Sequence, residues 1–420
     1  MAKEIIQSIK GTKDILPDQS HRWQALKDII RSTMDHYGYD EIRTPVFERT
    51  ELFARGVGEE TDIVSKEMYS WTDQGGENLT LKPDLTAPVV RAFIQHNLRE
   101  QSPINKLYYI DTLFRRERPQ KGRYRQFHQF GIEAFGSENP EIDVEVIAVA
   151  LAVLNNLGLE GLTLKLNSIG SPECRTLYRQ AIRSYLKPYL NDLSEISQRR
   201  FEKNPLRILD TKIPHEIEIL NDIPNVSDSW TPEDKVHFEE LKSLLDAMDI
   251  QYSLDPQLVR GLDYYTRTTF EITSSALGAQ DALCGGGRYD GLVKTLGGKA
   301  TPGIGFAAGM ERILLAMGDF DSIVKNTQLY IVGLGDTVRP VVIKLAEDLR
   351  QNKIRTNFDP LRRSLKAQMR EANKAGASYA ILIGDQELES GEAKLKDLNT
   401  GDQENIALDK LVNHINSLPF

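Results

Sequence analysis

Three arginine-bearing segments of this sequence have the residue types and context suited to chemistry on phosphates. They are FRRE at 114–117, LVRGLDYY at 258–265 and GIGFAAGMER at 303–312. The guanidinium group is always charged, and its planar fork matches the oxygens of phosphates and carboxylates. In-line attack on phosphorus needs positioning and electrostatic stabilisation rather than a protein nucleophile. The three segments therefore predict a site for phosphoryl chemistry on ATP, with an aromatic such as Phe127 stacked on adenine.

Other nucleotide and hydrolase signatures fit the sequence poorly. The stretch GGKA at 297–300 resembles the end of a P-loop, but its first glycine is misplaced and no Ser or Thr follows the lysine. The glycines at 303–309 lack the dinucleotide-binding spacing. Neither HExxH nor GxSxG occurs, which disfavours a zinc hydrolase and an α/β-hydrolase.

Composition limits the class of protein. The 420 residues are 40% hydrophobic and 27% charged, an ordinary globular mixture with room for two or three domains. No secretory signal core and no run of 18 apolar residues is present, and the two cysteines form no CxxC pair. We therefore expect a cytoplasmic location and no membrane partner. Because the net charge is −9, any contact with nucleic acid must come from local basic patches, of which there are two, at 115–125 and 350–374. Such runs are equally typical of solvated helix faces.

Hydrophobic patterning divides the chain into three parts. Aromatic-rich stretches at 106–114 and 126–135 are typical of paired strands, and the polar loop between them contains Pro119 and Gly122. The segment from about Gly170 to about Ile250 is dense in charge and has helical spacing, which predicts a helical insertion. The last hundred residues alternate strands with helices, which predicts a small α/β domain with a parallel or mixed sheet.

In this order and spacing, the segments resemble the three signature motifs of class II aminoacyl-tRNA synthetases, at 38–45, 114–133 and 303–312. Two further segments, LVRGLDYYTRTTFE and CGGGRYDGL, at 258–271 and 284–292, resemble the histidine-specific motifs of the histidyl-tRNA synthetase family. The opening GTKDILP and the loop RPQKGRYRQFHQFG are similar to that family too. The resemblance covers nearly the whole chain.

The resemblance implies an α/β fold, with an antiparallel class II sheet flanked by helices. The catalytic domain would span 1–325, with the helical insertion at about 171–252, and an anticodon-binding domain would span 327–420. The family is homodimeric, with the first motif at the interface. The implied reaction joins L-histidine and ATP into histidyl-adenylate and then transfers histidine to the 3′ end of tRNA(His). Mg²⁺ should accompany ATP, although no Asp/Glu cluster in the sequence predicts a protein metal site.

The resemblance also implies roles for individual residues. Arg260 and Arg115 would be catalytic, with Arg260 neutralising charge at the α-phosphate. The expected ATP-binding residues are Arg115, Glu117, Arg123, Phe127 and Arg312. The expected histidine-binding residues are Asp84, Thr86, Gln129, Glu133, Arg260, Tyr264, Tyr265 and Tyr289. The expected contacts to the tRNA acceptor end are Arg118, Gln120 and Lys121.

Some positions depart from the family pattern or have a simpler interpretation. KPDLT at 82–86 stands where many members carry Arg-Pro-Glu-x-Thr, so the carboxylate of Asp84 is one methylene shorter. The segment at 359–364 lacks the usual glycine before Arg-Ser, which bears on the contact with the anticodon. His128, Tyr108 and Tyr109 are interpreted as structural residues of the sheet.

Two rival functions can each be distinguished from the histidine enzyme by features of the sequence. A catalytically inactive regulatory subunit of ATP phosphoribosyltransferase would resemble these synthetases, but such subunits usually lack the terminal domain and degrade the second and third motifs. A synthetase for another amino acid would have no reason to keep both histidine-specific segments. Arg115, Arg260, Arg312 and the terminal domain are all present, so the sequence favours the histidine enzyme.

Overall fold

The computed structural model describes residues 5–58, 61–120, 122–258, 264–277, 281–318 and 327–418, apart from the side chain of Asp210. The chain divides into two units, Met1–Ser322 and Ile323–Phe420. Each unit is built on its own large sheet. No helix in these described ranges is long and apolar enough to span a bilayer.

The first unit contains eleven described strands: β1 (Asp40–Glu41), β2 (Phe47–Arg49), β3 (Tyr69–Thr72), β4 (Asn78–Leu81), β5 (Asn105–Phe114), β6 (Gln126–Phe135), β7 (Leu162–Ser168), β8 (Ser253–Leu254), β9 (Thr266–Ser274), β10 (Ala282–Arg288) and β11 (Gly303–Gly309). Eight of them form one sheet in the order β1-β5-β6-β11-β10-β9-β7-β8, and the other three form a small sheet, β2-β4-β3. Only the two-residue edge pairings, β1 with β5 and β7 with β8, are parallel. The predicted antiparallel sheet is confirmed, and β5 and β6 are the predicted aromatic-rich pair.

The helices of the first unit are α1 (Pro17–Tyr37), α2 (Thr50–Val57), α3 (Thr86–Gln95), α4 (Leu98–Gln101), α5 (Pro140–Asn156), α6 (Pro172–Leu186), α7 (Glu195–Lys203), α8 (Pro214–Leu220), α9 (Pro232–Ala247), α10 (Leu292–Thr295) and α11 (Met310–Ala316). Helices α1, α5 and α11 cover one face of the large sheet. Leu26, Ile30 and Met34 recur every four residues along α1, and this buried stripe belongs to the same core as Ile147 of α5.

Strand β6 separates the helix-covered core from the opposite face of the sheet. Successive side chains of a strand point to opposite faces. Phe130 and Ile132 accordingly belong to the core with α1 and α5. Phe127 and Gln129, one residue out of phase, line a cavity on the other face. The alternation along β6 therefore directs Phe127 and Gln129 toward this cavity.

The segment between β7 and β8 is helical, as its sequence predicts, and it contains α6 to α9. Two of its helices, α6 and α9, begin at side-chain caps: Ser171 accepts from the amide of Cys174, and Thr231 forms a capping box with Asp234. The insertion has its own core, in which Tyr178 and Phe201 are buried.

The second unit has strands β12 (Leu329–Gly333), β13 (Thr356–Phe358), β14 (Tyr379–Ile383), β15 (Glu392–Asp397) and β16 (Gln403–Ala407), with helices α12 (Arg339–Gln351), α13 (Leu365–Lys374), α14 (Asp385–Ser390) and α15 (Leu411–Asn416). The strand order is β13-β12-β14-β15-β16, with the first three strands parallel and the last two antiparallel. The sheet is therefore mixed, within the range that the sequence predicts. Arg362, in the loop after β13, has a left-handed φ of 57°.

Candidate active site

The face of the large sheet opposite α1 and α5 holds a cavity of about 560 Å³. Its wall contains residues from β6, β9, β10 and β11 and from the loop after β5. The predicted site residues on this wall are Asp84, Thr86, Arg115, Glu117, Arg123, Phe127, Gln129, Tyr264, Tyr265, Tyr289 and Arg312. Residues that are far apart in sequence therefore meet at one cavity.

A buried carboxylate, Glu133, lies beneath the wall of this cavity and is 1% exposed. Thr86 Oγ1 donates to its Oε1 at 2.7 Å, and the hydroxyl of Tyr109 donates to the same oxygen at 3.2 Å. The hydroxyl of Tyr289 donates to Oε2. Burial raises the pKa of Glu133 to about 8, although these three hydroxyl donors stabilise the charged form and act in the opposite direction. The group can thus exchange a proton near neutral pH.

Tyrosine rings form the wall beside Glu133. The ring centroid of Tyr264 lies 4.7 Å from that of Tyr265 and 5.7 Å from that of Tyr289. Burial raises the pKa of the Tyr264 and Tyr289 hydroxyls well above the ordinary value, so both remain protonated donors. A polar carboxylate framed by aromatic rings suits a small planar ligand with N–H groups.

Asp84 lies at the start of α3 and accepts a hydrogen bond at 3.0 Å from the amide of Ala87. Burial raises the pKa of this carboxyl, with the neighbouring helix amides and Arg115 acting in the opposite direction. The neighbouring Lys82 is fully buried and forms an ion pair with Asp111. The segment that departs from the family pattern is therefore held at both ends by polar contacts.

A cationic group lies further along the cavity. The guanidinium of Arg115 lies 5.3 Å from the centroid of the Phe127 ring, and its Nε donates at 2.9 Å to the carbonyl oxygen of Pro83. Arg123 lies 3.6 Å from Glu117. Burial and the neighbouring Arg123 lower the pKa of Arg312. Arg123 and Arg312 are thus near enough to interact, and two neighbouring positive groups are suited to share an anionic ligand.

The glycine-rich strand β11 closely approaches its neighbours at the site. Strands β11 and β6 pair Gly305 opposite Glu133. A β-carbon on Gly303 would lie 2.5 Å from the ring of Tyr289. The strand then leads into α11, which carries Arg312.

Several predicted site residues lie elsewhere. Arg118 and Gln120 are exposed in the loop between β5 and β6 and are not on the cavity wall. The backbones of Gln120 and Arg123 exchange two hydrogen bonds, which makes this loop tight. Arg260 and Lys121 lie outside the described residues.

His128 lies on the opposite face of the sheet from the cavity. Its Nδ1 lies 2.8 Å from Glu311 Oε1, and its ring contacts Trp23 edge-on, with 4.7 Å between centroids. Tyr108 is buried in the core with α1. The interpretation of Tyr109 as sheet packing was incomplete: its ring is buried, but its hydroxyl also donates to Glu133.

Other residues of the site were missed at the sequence level. Arg200 and Arg207 of the helical insertion line the cavity, as do Asp62 and Glu67. Arg200 lies 3.9 Å from Asp62, so the insertion contacts the segment before β3 at the cavity wall. The only available signal was the density of charged residues in the insertion, which carries no indication of distance to the motifs.

The chain is similar to known proteins along its whole length. A family model described as histidyl-tRNA synthetase matches residues 11–313, and one described as an anticodon binding domain matches residues 328–418. A histidine–tRNA ligase of Desulforamulus reducens is 48% identical over 406 residues, which are 96% of this chain and 97% of that relative. One of Chlorobaculum parvum is 49% identical over 413 residues, or 97% and 96% of the two chains. The crystal structure of apo S. aureus histidyl-tRNA synthetase has a TM-score of 0.84 at 38% identity, covering 98% of this chain and all of that one.

Proposed function

The chain belongs to the histidyl-tRNA synthetase family and is an aminoacyl-tRNA ligase for histidine, and we infer that a single cavity serves both of its half-reactions. The regulatory-subunit alternative is not favoured, because the full-length relatives at 46–49% identity are histidine–tRNA ligases. The observation that carries the assignment of the cavity is the convergence of predicted site residues from distant segments on one wall.

We propose that ATP lies along the cationic end of the cavity. Phe127 would stack on the adenine, and Arg115, which already contacts that ring, would hold the α-phosphate. Arg123 and Arg312 would bind the distal phosphates, because an anion between them would offset the burial and the repulsion by Arg123 that lower the pKa of Arg312. Glu117 would lie near the adenine.

The substrate histidine would occupy the end of the cavity framed by tyrosines. Glu133 would accept from an imidazole N–H, with Tyr265 and Tyr289 beside the ring. Asp84, Thr86, Gln129 and Tyr264 would surround the amino and carboxylate groups. A site with buried polar partners rejects analogues that leave those partners unpaired. This arrangement would exclude amino acids that lack a ring N–H.

Activation would follow from this placement. A carboxylate oxygen of histidine attacks the α-phosphorus, and the bond to the bridging oxygen breaks, releasing diphosphate. Arg115 and Arg260 would neutralise the charge that develops on the α-phosphate. The assignment of Arg260 rests on sequence resemblance. In the second step the 3′ terminal hydroxyl of tRNA attacks the acyl carbon and AMP leaves.

We propose that Mg²⁺ accompanies ATP in the cavity. Nowhere in the described ranges do three or more His, Cys, Asp or Glu side chains form a group that could hold a metal ion. Mg²⁺ commonly binds through substrate phosphates, waters and one or two carboxylates. Glu271 and Glu311 line the cavity with Arg312 and would supply such carboxylates. When bound, the ion would neutralise phosphate charge.

The tRNA would contact both parts of the chain. We propose that the second unit binds the anticodon, since its residues 328–418 match an anticodon-binding model. The loop between β5 and β6 would contact the acceptor end, with Gln120 reading a base edge and Arg118 and Lys121 binding phosphates.

We propose a homodimer that buries the small sheet next to the first motif. Phe47 and Trp71 on that sheet are about half exposed and contact each other, with 6.1 Å between ring centroids. Exposed aromatic residues are typical of protein interfaces. We further propose a cytoplasmic location, where tRNA is charged; the burial of both cysteines, Cys174 and Cys284, is compatible with a reducing compartment.

Exchange of labelled diphosphate into ATP tests the proposal directly. The full chain is assayed with each of the twenty amino acids in turn. Exchange that depends on histidine alone supports the proposal. Exchange with another amino acid, or with none, would overturn it.

A further inference from the structure

Arg288, at the end of β10, is fully buried yet richly hydrogen-bonded. Its Nε donates to Asp143 Oδ2 at 3.0 Å, and its Nη2 lies 2.7 Å from Asp143 Oδ1. Nη1 donates to Asp290 Oδ1 at 3.0 Å and to the carbonyl oxygen of Ser137 at 3.1 Å, and Nη2 donates to the carbonyl oxygen of Asn139 at 2.9 Å. The guanidinium is therefore fixed from three directions.

Asp143 is the centre of this cluster and comes from α5, on the other side of the sheet from the cavity. It is fully buried and accepts a second hydrogen bond, at 2.6 Å from Thr268 of β9. His237 of the insertion lies 3.5 Å from the same carboxylate. A buried ion pair contributes little net stability, because desolvation offsets much of the Coulomb attraction. A role in geometry is therefore the better explanation of this cluster.

The cluster fixes the backbone on both sides of Tyr289. Asp290 Oδ1, which accepts from Arg288, also accepts at 3.2 Å from the amide of Gly303. The amide of Tyr289 itself donates at 2.8 Å to the carbonyl oxygen of Gly303. The Tyr289 hydroxyl then reaches Glu133. A continuous chain of contacts thus leads from α5 to the carboxylate of the proposed histidine pocket.

We propose that Arg288 is a positioning residue for histidine recognition, which holds Tyr289 so that its hydroxyl orients Glu133 toward the substrate ring. This inference rests on the proposed function of Glu133. Arg288 is not on the cavity wall, so it acts through Tyr289 and not by touching substrate. The planar fork is essential, because an ammonium group cannot span Asp143, Asp290 and two carbonyl oxygens at once.

A double-mutant cycle on the full chain tests this role. Arg288→Lys retains the charge and loses the fork, whereas Tyr289→Phe removes only the hydroxyl. The Michaelis constants for histidine and for ATP are measured by diphosphate exchange, with thermal unfolding as the measure of stability. Arg91→Lys, which changes the partly buried ion pair with Glu48 on another element, is the matched control.

We expect Arg288→Lys to raise the KM for histidine about tenfold and the KM for ATP less than about twofold. In the Tyr289→Phe background, the same substitution should change the KM for histidine less than about twofold, because the hydroxyl that it positions is gone. Arg91→Lys should leave both constants unchanged. Independent effects of the two substitutions, or an equal rise of the KM for ATP, would overturn the proposal.

A second variant keeps the test decisive if Arg288→Lys does not fold. Asp290 is partly exposed, and Asp290→Asn preserves an acceptor while weakening the hold on Arg288. It should raise the KM for histidine in the wild-type background and not in the Tyr289→Phe background. An equal effect in both backgrounds contradicts the proposal. A wild-type chain without histidine-dependent exchange instead contradicts the proposed function itself.

Discussion

Gly305 lies so close to Glu133 that a β-carbon on Gly305 would be 2.0 Å from Glu133 Oε2. The two residues are directly paired between β11 and β6. The third sequence motif therefore leaves room for the carboxylate with which we propose that histidine is recognised. A glycine that first indicated contact with a nucleotide also shapes the neighbouring pocket.

Replacement of this glycine should damage the pocket more than it damages the fold. Gly305→Ala places a methyl group on the carboxylate of Glu133 and near the carbonyl oxygen of Ile132, 2.2 Å away. We expect a loss of stability of about 1–3 kcal/mol and no measurable histidine binding by calorimetry. Gly291→Ala is the matched control, because no described atom lies within 4 Å of its added β-carbon. Normal histidine binding by Gly305→Ala would refute this account of the strand.

The raised pKa of Glu133 predicts a specific dependence of stability on pH. Burial raises the pKa of the Glu133 carboxyl in the folded protein to about 8 from its ordinary value of 4.5. Its contribution to stability is thus complete below about pH 4.5, declines as pH rises, and is lost above about pH 8. In Glu133→Gln this contribution is absent. The urea midpoint of the wild type should therefore fall relative to that of the variant between about pH 6 and pH 8. Above pH 8 the difference between the two midpoints should stay constant. Parallel curves across that range would contradict the prediction.

Arg260 should act on the transition state more than on the bound substrate. Arg260→Ala should slow single-turnover adenylate formation about a hundredfold or more, because we propose that its charge neutralises the developing phosphate anion. Histidine affinity should change little, and Arg260→Lys should restore part of the rate. Arg339→Ala, in the other unit, serves as the control and should be neutral. An unchanged single-turnover rate would remove Arg260 from the mechanism.

The division into two units predicts separable activities. Deletion of residues 323–420 removes the second unit and leaves the first intact. Histidine-dependent diphosphate exchange should persist in the truncated protein, while transfer to tRNA should fall sharply. Circular dichroism and sedimentation establish that the truncated protein is folded and what its oligomeric state is. Equal loss of both activities in a folded protein of unchanged oligomeric state would count against this separation.

Much of the fold is accessible from the sequence, because its signals are local. The aromatic-rich composition of β5 and β6 and the helical spacing in α9 each indicate their own element. Most of the residues that the resemblance assigns to ATP and histidine line the cavity, and their individual roles stay predictions. Glu133 is the informative exception, since it lies beneath the wall and contacts it through Thr86 and Tyr289.

What the sequence did not predict depends on contacts between distant segments. Tyr109 has the pattern of a packed sheet residue, and only the pairing of β5 with β6 brings its hydroxyl to Glu133. Arg200 and Arg207 reach the cavity because the insertion folds against it. The pairing of Arg288 with Asp143 spans 145 residues, and neither residue has a local signal for it.

Transfer of labelled histidine to tRNA(His) tests the central claim most directly. The full chain is incubated with ATP, the tRNA transcript and labelled histidine in the presence of the nineteen other amino acids. We predict ATP-dependent label on the tRNA, with no charging when histidine is replaced by any of the others. Failure to charge tRNA(His), or charging with a different amino acid, would contradict the account.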